Sequence, residues 1–346
     1  MTTTADTSPD LYAYDLPPSA IAEQPPEPRD AARLLVYHRQ TGQVTLARFR
    51  DLPKILPAKS TLVLNDTKVI PARLWLTSEA GKAVEILYLK SQDSHIWALA
   101  NKRLLPRTKI FRNEKHLFTV TKQEGKEYQL EPAFPIDHLS QILEQYGTTP
   151  LPPYLRHSPL TEEERRIAYQ TVFAAHSGSV AAPTASLHFT PGLLHNLRSR
   201  GLDIQYVTLH VNQGTFAPLT AEQLKRHELH QEEYEVSEAT ATALNAAKAA
   251  GRPVVAVGTT VVRTLEAAAK QNGTVTPKRS LTKLFIAPGY HFKTVDHLIT
   301  NFHVPESSLM MLAAAFTGRE KLHTLYQQAL AHDFKFLSFG DGMLVI

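Results

Sequence analysis

Between about residues 69 and 134 the chain breaks into short segments: RLWLT, AVEILYLK, HIWALANK, KIFR, LFTVTK and EYQLEP. They are rich in β-branched and aromatic residues, are separated by turn signals, and none carries a helix cap. That pattern predicts a small antiparallel barrel or sandwich. A short helix over 137–146 and the proline cluster TTPLPPY close the segment.

The rest of the chain alternates helices and strands. ARLLVYHRQTGQVTLARF predicts a hairpin turning at Thr41-Gly42, and STLVLNDT a strand over 62–64 that ends in Asn65-Asp66-Thr67. Beyond Pro159, TEEERRIAYQTVFAA opens with Thr161 and Glu164 as a capping box. TPGLLHNLRSRG has Thr190 as N-cap, Pro191 at the first helical position and Gly201 as the stop. IQYVTLHV, VVAVGTT, KLFIAP and HLITNFHV read as strands. TAEQLKRHEL, SEATATALNAAKAAG, VVRTLEAAAK and PESSLMMLAAAFTG, the last starting at Pro305, read as helices. This is α/β grammar. The expected fold is an α/β core, a mixed sheet with flanking helices formed by 1–69 and 152–346. A small antiparallel β-barrel-like domain is inserted over 70–151.

Composition narrows the function classes. The chain has 346 residues, 43% of them apolar, enough for two or three domains with sizeable cores. It has no cysteine, which removes disulfides, thiol nucleophiles, Cys-ligated zinc and Cys-held iron–sulfur clusters. MTTTADTSPD has neither a basic patch nor an apolar stretch, and no run approaches the ~18 apolar residues of a membrane span. A soluble, cytoplasmic protein is expected, and with no coiled-coil signal a monomer.

The GxGxxG and GxxxxGK[ST] fingerprints are missing, so neither a dinucleotide site nor a P-loop is supported. HELH, from His227 to His230, has the wrong spacing for HExxH; it reads either as two metal ligands on one helix face or as charged helix surface. No metal site is expected. Nine of the sixteen histidines lie between His176 and His303, many beside strand ends, where open α/β sheets bind ligands. APTASLHFT brings Thr184, Ser186 and His188 ahead of a helix N-terminus. VTLHVNQGTF ends a strand with His210, Asn212, Gln213 and Thr215, and ITNFHVP does so with Asn301 and His303. In VAVGTTVVRTLEAA a strand turns through Thr259 and Thr260 into a helix carrying Arg263 and Glu266, either an i,i+3 ion pair or a clamp on a ligand's charged groups.

Residues 101–126 hold eight Lys/Arg against Glu114 and Glu124, a net +6 where the whole chain is +4. Phe111 and Phe118 are interleaved with Lys102, Arg103, Arg107, Lys109, Arg112 and Lys115. Basic β surface with exposed aromatics suits RNA; the alternative is a solvated barrel face.

YDLPPSAIAEQPPEPRDAARLLV, LVLNDTKVIPARL, SVAAPTASLHFT, VTLHVNQGTF, VAVGTTVVRTLEA, LFIAPGYHF, LITNFHVPESSLMML and FGDGMLVI run in order from about residue 12 to the end. Together they resemble the S-adenosylmethionine:tRNA ribosyltransferase-isomerase family of queuosine synthesis. The family's TAGLHFT is TASLHFT here, so Ser186 adds a CH2OH where glycine permits close approach, and Gly342 stands for the alanine of GDAML.

The resemblance implies transfer and isomerisation of the ribosyl part of S-adenosylmethionine onto 7-aminomethyl-7-deazaguanine at the tRNA wobble position. Epoxyqueuosine-tRNA, adenine and methionine are the products. S-adenosylmethionine is then a consumed co-substrate, and no permanently bound cofactor is implied. The chemistry needs a base for the proton beside the sulfonium, an acid for departing adenine and an anchor for the methionine carboxylate. On this reading His188 or His210 is the base and the other its partner, with Glu266 and Asp341 as candidates for the acid or amine-binding role. Arg263 with Thr259 and Thr260 holds the carboxylate; Asn212, Gln213 and Asn301 read a base edge; Tyr290, Phe302 and His303 wall the sulfonium or stack a base. Two other classes fit the residues without the resemblance: an RNA-binding module with no catalysis, and a metallohydrolase built on His227 and His230.

Overall fold

A computed structural model describes residues 7–212 and 219–346. Two sheets organise it. β1 (Arg33–Tyr37) and β2 (Val44–Arg48) form the expected hairpin, α1 (Leu52–Ile55) follows, and β3 (Thr61–Asn65) enters the middle of the larger sheet before β4 (Thr67–Val69). The chain then builds the second sheet from β5 (Arg73–Ser78), β6 (Ala83–Gln92), β7 (His95–Ala100), β8 (Lys109–Arg112), β9 (Lys115–Glu124) and β10 (Glu127–Pro132). The antiparallel order β5-β6-β7-β10-β9-β8 closes on itself through a β5–β8 pairing, so these strands make a barrel with no free edge.

Period-2 alternation explains the barrel: along β5, Leu74 and Leu76 point inward while Trp75 and Thr77 face out. Helix α2 (Leu139–Tyr146) adds Leu139, Ile142 and Leu143 to the barrel core, and β11 (Gly147–Thr148) pairs back on β5.

Helix α3 (Glu162–Ala168) carries the Thr161/Glu164 capping box. After it come β12 (His176–Ser179), α4 (Pro191–Ser199), β13 (Asp203–Leu209), α5 (Ala221–Arg226), β14 (Glu228–Val236) and α6 (Glu238–Ala249). The chain finishes with β15 (Val254–Val257), α7 (Thr259–Ala268), β16 (Lys278–Leu284), β17 (His297–Asn301), α8 (Ser308–Thr317), α9 (Arg319–Ala331) and β18 (Gly342–Val345). The nine-stranded sheet runs β16-β14-β13-β3-β15-β17-β18-β1-β2. Its four central strands, β13, β3, β15 and β17, are mutually parallel, with antiparallel neighbours at both flanks. Both faces are apolar, as buried parallel strands require: Leu62 and Leu64 of β3 pack with α1 and α4, and Val63 faces the core that holds α6 to α9.

Three expectations are corrected. HELH is not on one helix: α5 stops at Arg226, His227 caps it in the left-handed conformation, and His230 lies on β14. The strand was missed because QEEYEV mixes charge with its apolar positions. KLFIAP is shifted, since β16 covers Lys278–Leu284, and α8 begins at Ser308 behind the N-cap Ser307 rather than at Pro305. Helix α9 and strand β18 were not read from the sequence.

Gly342 has a local cause. A Cβ there would lie 2.7 Å and 3.0 Å from two ring carbons of Phe49 and 3.1 Å from the Thr300 carbonyl oxygen. Phe49 is fully buried and packed against His188 and Phe189, so it has no room to move. Gly342→Ala is expected to cost about 1–3 kcal/mol by overpacking. Adding Phe49→Leu should recover most of that loss, as read by thermal unfolding of the single and double variants.

Candidate active site

The four parallel strands end on one edge, at Leu209, Asn65, Val257 and Asn301. Asn65 ties three of these ends together. Its Nδ2 donates to the Leu209 carbonyl (3.0 Å) and to Thr260 Oγ1 (3.2 Å), while Oδ1 accepts from the amides of Leu209 and Thr67 (both 3.1 Å). Asp66 accepts from Thr208 Oγ1 (2.7 Å) and stands 3.7 Å from His176 Nε2; burial raises its pKa above the usual carboxylate range.

His210, first residue after β13, is half-buried at a cleft of about 200 Å³ that also presents His176, Ser177, Thr208, Glu233 and Arg279. Its Nδ1 is 2.8 Å from Thr67 Oγ1. Burial lowers its pKa, with Arg279 and His176 adding to the drop and Glu233 and Asp66 opposing it. His210 is therefore a neutral imidazole at pH 7, on the cleft wall.

A second cluster surrounds β17. Thr184 Oγ1 donates to Asn301 Oδ1 (2.8 Å), and Asn301 Nδ2 donates to the Leu337 carbonyl (3.2 Å) and lies 3.4 Å from His188 Nε2. His188 is 1% exposed, with its ring 4.3 Å from that of Phe49, and burial takes its pKa down to about 3. His303 bonds Thr300 Oγ1 through Nε2 (2.8 Å) and is likewise held near 3 by burial. Strands β3 and β15 separate the ends of β13 and β17, a span of roughly 14 Å at ordinary strand spacing. His188 and His210 thus belong to two clusters, one around Asn301 and one around Thr67, and share no hydrogen bond among the described residues. Ser186 is fully buried, and among the described residues its hydroxyl has no hydrogen-bond partner.

Arg263 and Glu266 do not form the i,i+3 ion pair with each other; each has other partners. Arg263 pairs through Nη1 with Glu232 of β14 and donates from Nε to the Leu284 carbonyl (3.1 Å). Its side chain is only 7% exposed, and Nη2 has no partner among the described residues. Glu232 also accepts the Asn212 amide (3.1 Å), which fixes the chain just past β13. Glu266 is saturated: Oε1 accepts from the amides of Thr294 and Val295, and Oε2 from the Lys293 amide and the Tyr290 hydroxyl. Burial and the adjacent Glu266 raise the Tyr290 pKa. Asp341 takes the amides of Arg33 (2.6 Å) and Lys335 (2.7 Å), with its pKa raised by burial.

Phe302 is corrected outright. It is fully buried among Tyr326, Phe334 and Phe336, so it walls no ligand. Thr259 and Thr260 are buried at the start of α7, and Asn212 is half-buried beside Glu232. Gln213 and Thr215 lie outside the described residues. Among the described residues, no three His, Cys, Asp or Glu side chains converge as a metal site would need.

On the barrel, Lys102, Arg103, Arg107, Lys109 and Lys115 are exposed, and Arg112 donates to the Trp75 carbonyl (2.8 Å). Phe118, read as an exposed aromatic, is in the barrel core instead. The exposed aromatic is Trp75, at 49%, which the sequence reading passed over despite its outward place in an alternating strand.

A family model described as "Queuosine biosynthesis protein" matches residues 10–345. The chain belongs to the queuosine biosynthesis protein family. It is 43% identical over 344 residues to the S-adenosylmethionine:tRNA ribosyltransferase-isomerase of Moorella thermoacetica, covering 97% of this chain and 98% of that relative. With the enzyme of the same name from Thermosynechococcus vestitus it shares 46% identity over 351 residues, covering 99% and 96%. The crystal structure of the S-adenosylmethionine tRNA ribosyltransferase from Thermotoga maritima matches with a TM-score of 0.55 at 31% identity, over 97% of this chain and 100% of that one. The mixed sheet and barrel are thus the architecture of the family.

Asn65, Thr67, His176, Glu232 and Glu233 of this family member were not singled out as site residues from the sequence. Asn65-Asp66-Thr67 had the signal that flagged the other strand ends, polar residues closing an apolar strand; Glu232 had none. Two outcomes follow. Ser186→Ala is expected to raise the unfolding free energy by roughly 1 kcal/mol, because it removes an unpaired buried hydroxyl. His188 and His303 bind a proton near pH 6.5 when unfolded but only near 3 when folded. Their stabilisation is complete above 6.5 and is lost as pH falls toward 3, at roughly 1.4 kcal/mol per pH unit per histidine. Urea titrations from pH 7 to 4 should show this slope, reduced in His303→Gln.

Proposed function

We propose that this chain is an S-adenosylmethionine:tRNA ribosyltransferase-isomerase acting in queuosine biosynthesis. It transfers and isomerises the ribosyl moiety of S-adenosylmethionine onto the aminomethyl group of 7-aminomethyl-7-deazaguanine at the tRNA wobble position. Epoxyqueuosine-tRNA, adenine and methionine leave. The observation that carries this reading is the near full-length likeness to relatives of that activity at 43% and 46% identity. The polar strand ends on one sheet edge supply the chemistry it needs.

His210 is the base for the proton beside the sulfonium: it is neutral, and it alone of the two expected histidines reaches a cleft. His188, buried under Phe49, orients Asn301. The buried Nη2 of Arg263 on α7, without a partner among the described residues, takes the methionine carboxylate. Glu266 and Asp341 hold loops rather than the acid role, their oxygens being engaged by backbone amides. Residues 70–151 are a separate tRNA-contacting domain, inserted between 1–69 and 152–346. Lys102, Arg103, Arg107, Lys109, Arg112 and Lys115 meet phosphates there, and Trp75 offers a stacking face. The protein works as a cytoplasmic monomer on its tRNA, without a resident cofactor or metal. Among the described residues no helix is long and apolar enough to cross a membrane.

The test is adenine release from S-adenosylmethionine with tRNA bearing 7-aminomethyl-7-deazaguanine, against unmodified tRNA. Adenine is expected only with the modified tRNA. His210→Ala should lower kcat by roughly 100-fold or more, with tRNA Kd within about threefold. The kcat of the parent enzyme should fall on acidification below the ordinary imidazole value of about 6.5, as His210 takes up a proton. Steeply salt-dependent tRNA binding without adenine would mean an RNA-binding module instead.

A further inference from the structure

The short parallel pairing of β12 with β4 is interrupted. His176 pairs with Thr67 and Ser177 with Lys68, but the next partner of Val69 is Ser179, so Gly178 is bulged out of register. The bulge lies on His210. A Cβ added at Gly178 would come within 2.8 Å of Cε1, 2.9 Å of Nδ1 and 3.0 Å of Nε2 of the imidazole, closer than side chains tolerate. Only a glycine leaves the ring this place. Bulges of this kind re-aim side chains beside active sites.

Two further contacts hold the same residue. Thr67, on the strand paired with the bulge, meets His210 Nδ1 at 2.8 Å. The His210 amide donates to the Glu233 carbonyl at 2.9 Å, fixing its main chain to β14. The ring is thus confined on one face, at one nitrogen and at its backbone. Among the described residues Nε2 has no partner.

We propose that Gly178 and Thr67 are positioning residues for His210: the bulged glycine sets the plane of the ring, and Thr67 accepts from Nδ1–H, so that Nε2 is presented as the base. This rests on the reading of His210 as the base in the adenine-releasing reaction. The charged and titratable groups around the ring come from every neighbouring element: Asp66 after β3, His176 on β12, Glu233 on β14 and Arg279 on β16. Arg279 is paired with Glu233, so a change in the pH profile on altering Thr67 or Gly178 reports the ring and not a loose cation.

The experiment compares Thr67→Val, Thr67→Ser and Gly178→Ala in the full chain, with adenine release as the activity and imidazole ¹⁵N spectra as the second readout. Thr67→Val and Gly178→Ala are expected to lower kcat roughly 10- to 100-fold, with KM for both substrates within about threefold, since misplacing a reacting group by 1 Å can cost that much. Thr67→Ser should stay near the parent value. In the spectra, the His210 signal should move from a single Nδ1–H tautomer to a mixture in Thr67→Val, and the acidic limb of its pH profile should shift. Unchanged kcat and unchanged ¹⁵N shifts in Thr67→Val would overturn the proposal, as would an equal loss in Thr67→Ser. Should Gly178→Ala fail to fold, the threonine pair still decides. Full turnover in His210→Ala would instead sink the reading of His210 as base, while the tautomer signal would still show whether Thr67 holds the ring.

Discussion

The candidate site depends on one buried amide. Asn65 stands where β3 ends, at the centre of the parallel strands, and its four hydrogen bonds reach the end of β13, the turn into β4 and the first turn of α7. Backbone groups at a strand end have lost their ladder partners, and burying them unpaired costs about 1–3 kcal/mol each. Asn65 satisfies the Leu209 amide and carbonyl together and thereby fixes the direction in which His210 leaves the sheet. An aspartate could not donate, and a leucine could do neither.

Buried charge plays a related part around this edge. Glu232, Glu266 and Asp341 each accept backbone amides from segments distant in sequence, and Arg263 crosses from α7 to β14. Such groups are costly to desolvate and are retained where every lone pair is used. Among the described residues, Nη2 of Arg263 and Nε2 of His210 are left without a partner.

Much of the fold was legible. The six barrel strands showed in the β-branched and aromatic content and turn signals of RLWLT through EYQLEP, and caps at Thr161 and Thr190 marked helix starts, because these signals are local. Strand β14 was not legible, since Gln231, Glu232 and Glu233 look like surface until β13 and β16 are placed beside them. Phe118 went into the barrel core, against expectation, for a similar reason: a one-residue choice of register decides which face of a strand goes inward. The strand-end residues of the site were recognisable as a class, but their partners were not. Nothing near Arg263 in sequence announces Glu232, which lies 31 residues away.

The sequence by itself determined the α/β core with its inserted β segment, the family, and the set of polar residues that end the strands. Those follow from periodicity, caps and ordered motifs, all written within a few residues. Only the tertiary structure decided which of those residues meet. It parted His188 from His210 by the width of two intervening strands, buried Phe302 in the aromatic core and gave Glu266 to a loop. It also laid the bulge of Gly178 on the ring of His210. These outcomes depend on strand order and on desolvation, and neither is encoded in any single stretch of chain.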